Sequence, residues 1–302
     1  MRYLLVGLGN LGQKRLAVLG ARCVATVDPF NTSATYGSPQ ECPTDAYDCA
    51  LLSVPNETKL DLIRYFLRNG KHVLVEKPLM LSRAEADELS QLARDRGAIW
   101  YTSYNHRFEP MIVQLKRLLE AETLGEIYHA RLFYGNGTAQ NIVGTWRERG
   151  LGVLEDLGSH LLDLAGYVLG FGGSRFSPVV LQRNELTTFD HVILSSSDER
   201  VVLEASYVCW KNTFGIDVYG KAGSAHVSGL AKWGPSELIV RQRVLPSGVP
   251  TETVQSVSGG EDPTWHADLE YFETLCTRRC TSAANDVWVS ETFDSIAAEA
   301  VR

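Results

Sequence analysis

The residues best equipped for chemistry lie in one stretch, Gly150 through Asp163, which reads Gly-Leu-Gly-Val-Leu-Glu-Asp-Leu-Gly-Ser-His-Leu-Leu-Asp. At about 100° per residue in an α-helix, Asp156, His160 and Asp163 fall within about 60° of arc. Leu154, Leu157, Leu161 and Leu164 fall on the other side, so a narrow ionisable stripe runs down an otherwise apolar helix. An imidazole ionises near neutrality, and a carboxylate one turn away favours and orients its protonated form, so the pair suits proton transfer. A lone histidine here would by default be a packed core residue, and the rest of the chain decides between the two.

The N-terminal half supplies the other reactant. Residues 3–7 read as a short apolar strand running into Gly7-Leu8-Gly9-Asn10-Leu11-Gly12, a match to G-x-G-x-x-G. Such glycines allow a tight turn, close approach of a pyrophosphate and close packing of helix on strand. The helix expected at about 11–20 offers its N-terminal amides to the phosphates. A second strand at 22–27 ends at Asp28, about 20 residues past the loop, where an acid binds the ribose hydroxyls of NAD. Pro29-Phe30-Asn31-Thr32-Ser33 contains no Arg or Lys for a 2′-phosphate. NAD is therefore expected over NADP.

The strand–helix rhythm continues. A buried strand at 48–54 includes Ser53 and ends at Pro55-Asn56, and an amphipathic helix at 57–69 stops at Gly70. A strand at 72–75 delivers Glu76-Lys77-Pro78, and a helix at about 82–96 opens with Ser82 and Glu85 as a capping box. The strand from Ile99 leads to Tyr104-Asn105-His106-Arg107-Phe108. In doubly wound folds ligands bind at the carboxyl ends of the strands, which places Pro55, Lys77 and Tyr104 on the binding rim.

After residue 108 a helix at about 109–121 gives way to strand-like runs at 126–134, 178–183, 189–195, 200–210, 214–219, 224–228 and 237–245, with helices again at 266–280 and 286–301. Their alternation predicts an open, mainly antiparallel sheet with one covered face. The expected division is a dinucleotide-binding domain over 1–120 and a substrate-binding and oligomerisation domain over 121–302. Together they make an α/β protein.

Composition narrows the function classes. The 302 residues carry a net charge of −7, with 44% hydrophobic and 22% charged residues, as in ordinary soluble domains. That charge leaves no footprint for nucleic acid or an anionic membrane, and no apolar run reaches the length of a membrane helix. The N-terminal apolar run reads as a strand rather than a signal peptide, so a cytoplasmic protein is expected. Cys23, Cys42, Cys49, Cys209, Cys276 and Cys280 show neither zinc-site spacing nor a disulfide framework, and no metal is expected.

The glycine loop at 7–12, Ser53-Val54-Pro55-Asn56, Glu76-Lys77-Pro78, and Gly152 through His160 with Asp163 together resemble the Gfo/Idh/MocA family, which includes glucose-fructose oxidoreductase and inositol dehydrogenase. The resemblance implies an N-terminal Rossmann domain and a C-terminal α/β domain whose sheet makes contacts in a homo-oligomer, a dimer or a tetramer. It implies a catalytic set of Lys77, Asp156 and His160, and it suggests a cis Lys77–Pro78 peptide. Gly7, Gly9, Asn10, Leu11, Gly12, Asp28, Ser53, Pro55, Asn56, Glu76 and Lys77 are the expected cofactor contacts. Arg107, Trp146, Arg147 and Asp163 are the candidates for substrate. The family often carries a histidine three residues after the Pro-Asn, where this chain has Lys59, and Gly150-Leu151-Gly152 stands where three glycines are frequent.

The activity expected is hydride transfer between a nicotinamide and a hydroxyl carbon of a sugar, cyclitol or sugar derivative. The cofactor carries the hydride, while the protein must position the carbon and move the hydroxyl proton. Lys77 would stabilise a developing alkoxide, and the residues alone leave open whether it or His160 takes the proton. Two alternatives stand beside this: turnover of a non-carbohydrate substrate such as a dihydrodiol, diketone or tetrapyrrole, and a non-catalytic NAD-binding sensor.

Overall fold

The computed structural model of the chain describes residues 1–137 and 139–300. Their contacts define two units, one of Met1–Tyr104 with Trp265–Ser290, the other of Asn105–Thr264 with the residues from Glu291 onward.

The first unit is built on five strands, β1 (Tyr3–Val6), β2 (Cys23–Val27), β3 (Cys49–Leu52), β4 (His72–Glu76) and β5 (Trp100–Ser103). They form a parallel sheet in the order β2-β1-β3-β4-β5. The crossovers are α1 (Asn10–Leu19), α2 (Asn56–Arg68) and α3 (Arg83–Arg96). Successive strand residues point to opposite faces. Thus Leu4, Val6, Ala50 and Leu52 enter one core with Phe66 and Leu89, while Tyr3, Leu5 and Leu51 enter another with Leu269 and Phe272. Both faces are covered, which is why β1 and β3 read as unbroken apolar runs. Ser82 and Glu85 form the capping box that starts α3, and left-handed Gly97 ends it.

The second unit contains α4 (Pro110–Glu120), β6 (Ile127–Gly135), α5 (Ser159–Leu169), β7 (Phe176–Gln182), β8 (His191–Ser196), β9 (Val201–Ser206), β10 (Thr213–Gly220), β11 (Gly223–Ser228), β12 (Ser236–Gln242) and β13 (Thr251–Val257). The strands run β13-β12-β11-β10-β6-β9-β8-β7, antiparallel except at β6–β9. Leu132, Leu203, Ile216, Val218 and Val227 are buried on one face. Arg131, Glu204, Asp217 and Tyr219 alternate with them on the other. The strand β13 falls outside the predicted runs. Its sequence, Thr-Glu-Thr-Val-Gln-Ser-Val, is exposed almost throughout, so burial imposes no apolar alternation on it.

The last helices are α6 (Thr264–Arg278) and α7 (Ala284–Ala300). The contacts draw the division differently from the expected 1–120 and 121–302, because Trp265–Ser290 groups with the parallel sheet. A buried ion cluster fastens α6 there. Arg15 on α1 is wholly buried; its Nε donates to Glu76 Oε1 at 2.6 Å, and its Nη2 donates to Asp268 Oδ2 at 2.9 Å and Ser103 Oγ at 2.6 Å. The hydroxyls of Tyr101 and Ser103 donate to the same Asp268 carboxylate, and the guanidinium lies over the Trp265 ring, 4.3 Å from its centre. Burial works against the charge on Arg15, but Glu76 and Asp268 outweigh it and hold its pKa above the ordinary arginine value.

Removing one member of a buried ion cluster strands the others, at a cost of about 3–5 kcal/mol. Asp268→Ala should therefore lower the unfolding free energy by about that much in a urea titration. A loss below about 1 kcal/mol, the worth of an exposed pair, would contradict this account of how α6 is held.

Candidate active site

In the first unit β1 runs into the glycine loop and α1. A Cβ on Gly7, whose φ is +93°, would sit 2.3 Å from the Ser53 carbonyl oxygen, and one on Gly12 would sit 2.0 Å from the Gly7 carbonyl oxygen. Those two positions therefore require glycine so that α1 can close on the sheet. A Cβ on Gly9 would meet no atom of the described residues within 4 Å, so the backbone there is open to a ligand. Gly9 is also the N-cap of α1, and no side chain caps the helix. Its first-turn amides, including those of Asn10 and Leu11, carry the positive end of the helix dipole. The Ser53 hydroxyl, on the segment next to the loop, is buried with no hydrogen-bond partner among the described residues. An open glycine, an uncapped helix start and an orphaned hydroxyl fit a dinucleotide pyrophosphate, which offers acceptors to all three.

Asp28 follows β2. Its Oδ2 accepts from the Leu8 amide at 2.8 Å, and its Oδ1 from the amides of Phe30 at 2.9 Å and Asn31 at 3.0 Å. Partial burial would raise its pKa, but these three amides overcome that and hold the carboxyl below its usual range. A charged carboxylate is thus fixed beside the glycine loop.

The carboxyl end of β4 delivers Glu76, Lys77 and Pro78, and the Lys77–Pro78 peptide is cis. Lys59 of α2 braces this turn. Its buried ammonium donates to Asn56 Oδ1 at 2.7 Å, the Glu76 carbonyl at 2.6 Å and the Pro78 carbonyl at 2.7 Å. Three protons meet three acceptors, two of them on the residues that flank Lys77. Burial pushes the Lys59 pKa down to about 7, with Lys77 adding to the fall and Glu76 and Asp286 opposing it. Glu76 is turned toward Arg15, and Lys77 is half-buried.

In the second unit the stretch bearing Asp156 and His160 departs from a simple α-helix. Leu154–Gly158 forms a π-helical turn, and α5 starts only at Ser159. The wider turn breaks the 100° spacing between Asp156 and His160 and buries them along with the leucines. Asp156 Oδ2 accepts from the Tyr207 hydroxyl at 3.0 Å and pairs with Arg147 Nε at 2.9 Å. Burial, then the Asp156 charge, drive the Tyr207 pKa well up, so this phenol is a fixed donor. His160 turns its Nδ1 to Nδ1 of His106, 2.6 Å away, with the two rings nearly perpendicular at 83°.

The remaining substrate candidates divide. Arg107 and Asp163 hold each other: Arg107 Nε lies 3.0 and 2.9 Å from the two carboxylate oxygens, and its Nη2 also donates to Oδ1. Asp163 is wholly buried, and the Arg107 guanidinium lies over the Tyr167 ring. Trp146 and Arg147 occupy a short helical turn, Trp146–Glu148, with Trp146 exposed and Arg147 against its ring. Sequence reasoning passed over Tyr207, Lys232 and Tyr134 and gave His106 no chemistry. The His106 and His160 positions are 54 residues apart, so no local spacing signals their contact. Among the described residues no cluster of three or more His, Cys, Asp or Glu is placed to hold a metal ion, and no helix is long and apolar enough to cross a membrane.

Comparison with known proteins agrees with this architecture. A family model described as an oxidoreductase family with an NAD-binding Rossmann fold matches residues 1–104, and the GFO/IDH/MocA C-terminal domain matches 112–226. The chain is 31% identical to the uncharacterized oxidoreductase YdgJ of Escherichia coli over 182 residues, which cover 59% of this chain and 52% of that one. It is 24% identical to the NADP-dependent scyllo-inositol 2-dehydrogenase IolW of Bacillus subtilis over 240 residues, 78% of this chain and 62% of that one. The matched region thus spans little more than half the length of these relatives. An NAD-binding oxidoreductase of Klebsiella pneumoniae shares the fold, with a TM-score of 0.81 at 20% identity over 100% of this chain and 97% of that one. The chain belongs to the Gfo/Idh/MocA family of oxidoreductases, with an NAD-binding Rossmann fold over its first 104 residues.

Proposed function

We propose that this protein is an NAD-dependent dehydrogenase that moves a hydride between the nicotinamide and a hydroxyl carbon of a sugar, cyclitol or sugar derivative. The observation that carries the reading is His160. It is a buried imidazole whose Nδ1 meets Nδ1 of His106, on the helix that follows the turn bearing the buried Asp156, in a chain whose other unit has the dinucleotide loop. The scyllo-inositol dehydrogenase relative supports a polyol substrate. The bound nicotinamide supplies the hydride acceptor. His160 takes the hydroxyl proton, and Asp156 favours its protonated form electrostatically. Arg147 and Tyr207 keep the Asp156 carboxylate in place. Lys77 adds positive charge for the developing alkoxide, on a turn braced by Lys59. Trp146 and Arg147 are the proposed polyol contacts, and the Arg107–Asp163 pair stiffens α5.

NAD is favoured over NADP because the Asp28 carboxylate would meet a 2′-phosphate with like charge, and the following Pro29–Ser33 brings no cation. Six free thiols suit the reducing cytoplasm. The uncovered face of the second sheet, with Arg131, Glu204 and Asp217, is the surface through which copies of the chain would pair.

Across a panel of polyols and sugars with NAD, His160→Ala should lower kcat about a hundred- to ten-thousandfold, the usual worth of a general acid–base group. Full turnover by that variant on any accepted substrate would remove His160 from the chemistry. Asp28→Ala should weaken NAD about 10- to 100-fold, the range for hydrogen bonds to a charged group, and should improve NADP. An unchanged ratio of kcat/KM for the two cofactors would contradict the assignment of Asp28.

A further inference from the structure

The His106–His160 contact continues one residue further. His106 is buried on the short helical turn Asn105–Phe108, and its second ring nitrogen, Nε2, lies 3.3 Å from Lys232 Nζ. Lys232 Nζ also reaches the Tyr134 hydroxyl at 3.4 Å and lies over the Trp233 ring. Each neutral imidazole has one N–H and one lone pair, and two nitrogens 2.6 Å apart share a single proton between them. The protonation state of Lys232 therefore fixes both rings in turn.

When Lys232 is an ammonium it donates to Nε2 of His106. His106 then carries its proton on Nδ1 and donates to Nδ1 of His160, so His160 keeps its own proton on Nε2 and is a donor there. When Lys232 is a neutral amine it accepts from His106 Nε2–H. His106 Nδ1 then accepts from His160 Nδ1–H, and Nε2 of His160 carries its lone pair. Only the second state lets His160 take a proton through Nε2.

We propose that Lys232 is the proton terminus of His160, reached through His106. The inference rests on the reading of His160 as the proton acceptor. As Nε2 of His160 gains the substrate proton, the proton on its Nδ1 passes to Nδ1 of His106, and the proton on His106 Nε2 passes to Lys232. Each ring gains one proton and loses one, Lys232 ends as the ammonium, and the charge lost by the substrate hydroxyl is balanced without any further reactant. Carbonyl reduction runs the same chain backwards. His106 and Lys232 are thus positioning residues that set the tautomer of the group touching substrate.

The surroundings of Lys232 suit a residue that changes charge during turnover. Burial lowers its pKa and Arg147 adds to the fall, while Asp262, Glu109 and Asp156 oppose it. Glu109, whose own pKa is raised by burial, accepts from the Ala231 amide at 3.0 Å, next to Lys232 in the chain. Oxidation of a polyol should gain from rising pH as Lys232 becomes neutral, and reduction should gain from falling pH.

The test uses the NAD-bound protein with nitrogen-labelled histidine. NMR of the wild type should show His160 passing from the Nε2–H to the Nδ1–H tautomer as pH rises. Lys232→Arg keeps a permanent cation at the terminus. It should hold His160 in the Nε2–H form at every pH, lower kcat for polyol oxidation at least about tenfold with little change in KM, and erase the pH rise in kcat. A His160 that keeps one tautomer across the wild-type titration overturns the proposal, whether or not the variant folds. So does a Lys232→Arg enzyme with the wild-type tautomer switch and pH profile. Because the tautomer is read without turnover, it separates failure of the relay from failure of His160 as the acceptor.

Discussion

A charge taken out of water must be met by an opposite charge or by enough hydrogen bonds to replace its hydration, and the structure is arranged around that requirement. In the first unit Arg15 is enclosed between Glu76 and Asp268. In the second Asp163 is enclosed by Arg107, and Asp156 by Arg147 and Tyr207. These groups have little freedom left. They set the direction of β4, the seat of α6 and the pitch of the chain entering α5. Lys59 is the same rule met by hydrogen bonds. Its ammonium draws two backbone carbonyls and an asparagine oxygen onto itself and fixes the turn that carries Lys77.

In the proposed reaction, chemistry falls to the groups whose partners leave a proton able to move. The His106–His160 contact joins two neutral-capable rings rather than opposite charges, and Lys232 stands at its end with its ammonium disfavoured by burial. The π-helical turn at Leu154–Gly158 belongs to this arrangement, since it carries the chain from the Asp156 cluster to the His160 contact with an extra residue in the turn. One family scaffold can in this way hold its carboxylate rigidly and keep its imidazole responsive.

What was legible in the sequence is what is written locally. Gly7 and Gly12 announce the loop because a single Cβ would collide with backbone two to three ångströms away, a constraint that acts within a few residues. Asp28 follows from its distance along one strand–helix–strand unit, and most strands of the second sheet follow from alternation imposed by one covered face. The strand β13 escaped because its residues are almost all exposed, so burial imposes no apolar alternation on it. Partnerships across long separations escaped for another reason. Asp268 meets Arg15 across 253 residues and Lys232 meets His106 across 126, and no periodicity in the chain encodes either. Lys59 was visible only as a departure from a family pattern; its use came from the two carbonyls it holds.

The central claim is that a carbinol hydride passes to the nicotinamide while this chain removes the hydroxyl proton. It is tested most directly by giving the protein NAD and a cyclitol or sugar deuterated at its hydroxyl-bearing carbons, and following the label by NMR. The account predicts deuterium on the nicotinamide ring of the reduced cofactor and a ketone on the polyol. Tight binding of NAD with no label transferred from any polyol or sugar would contradict it.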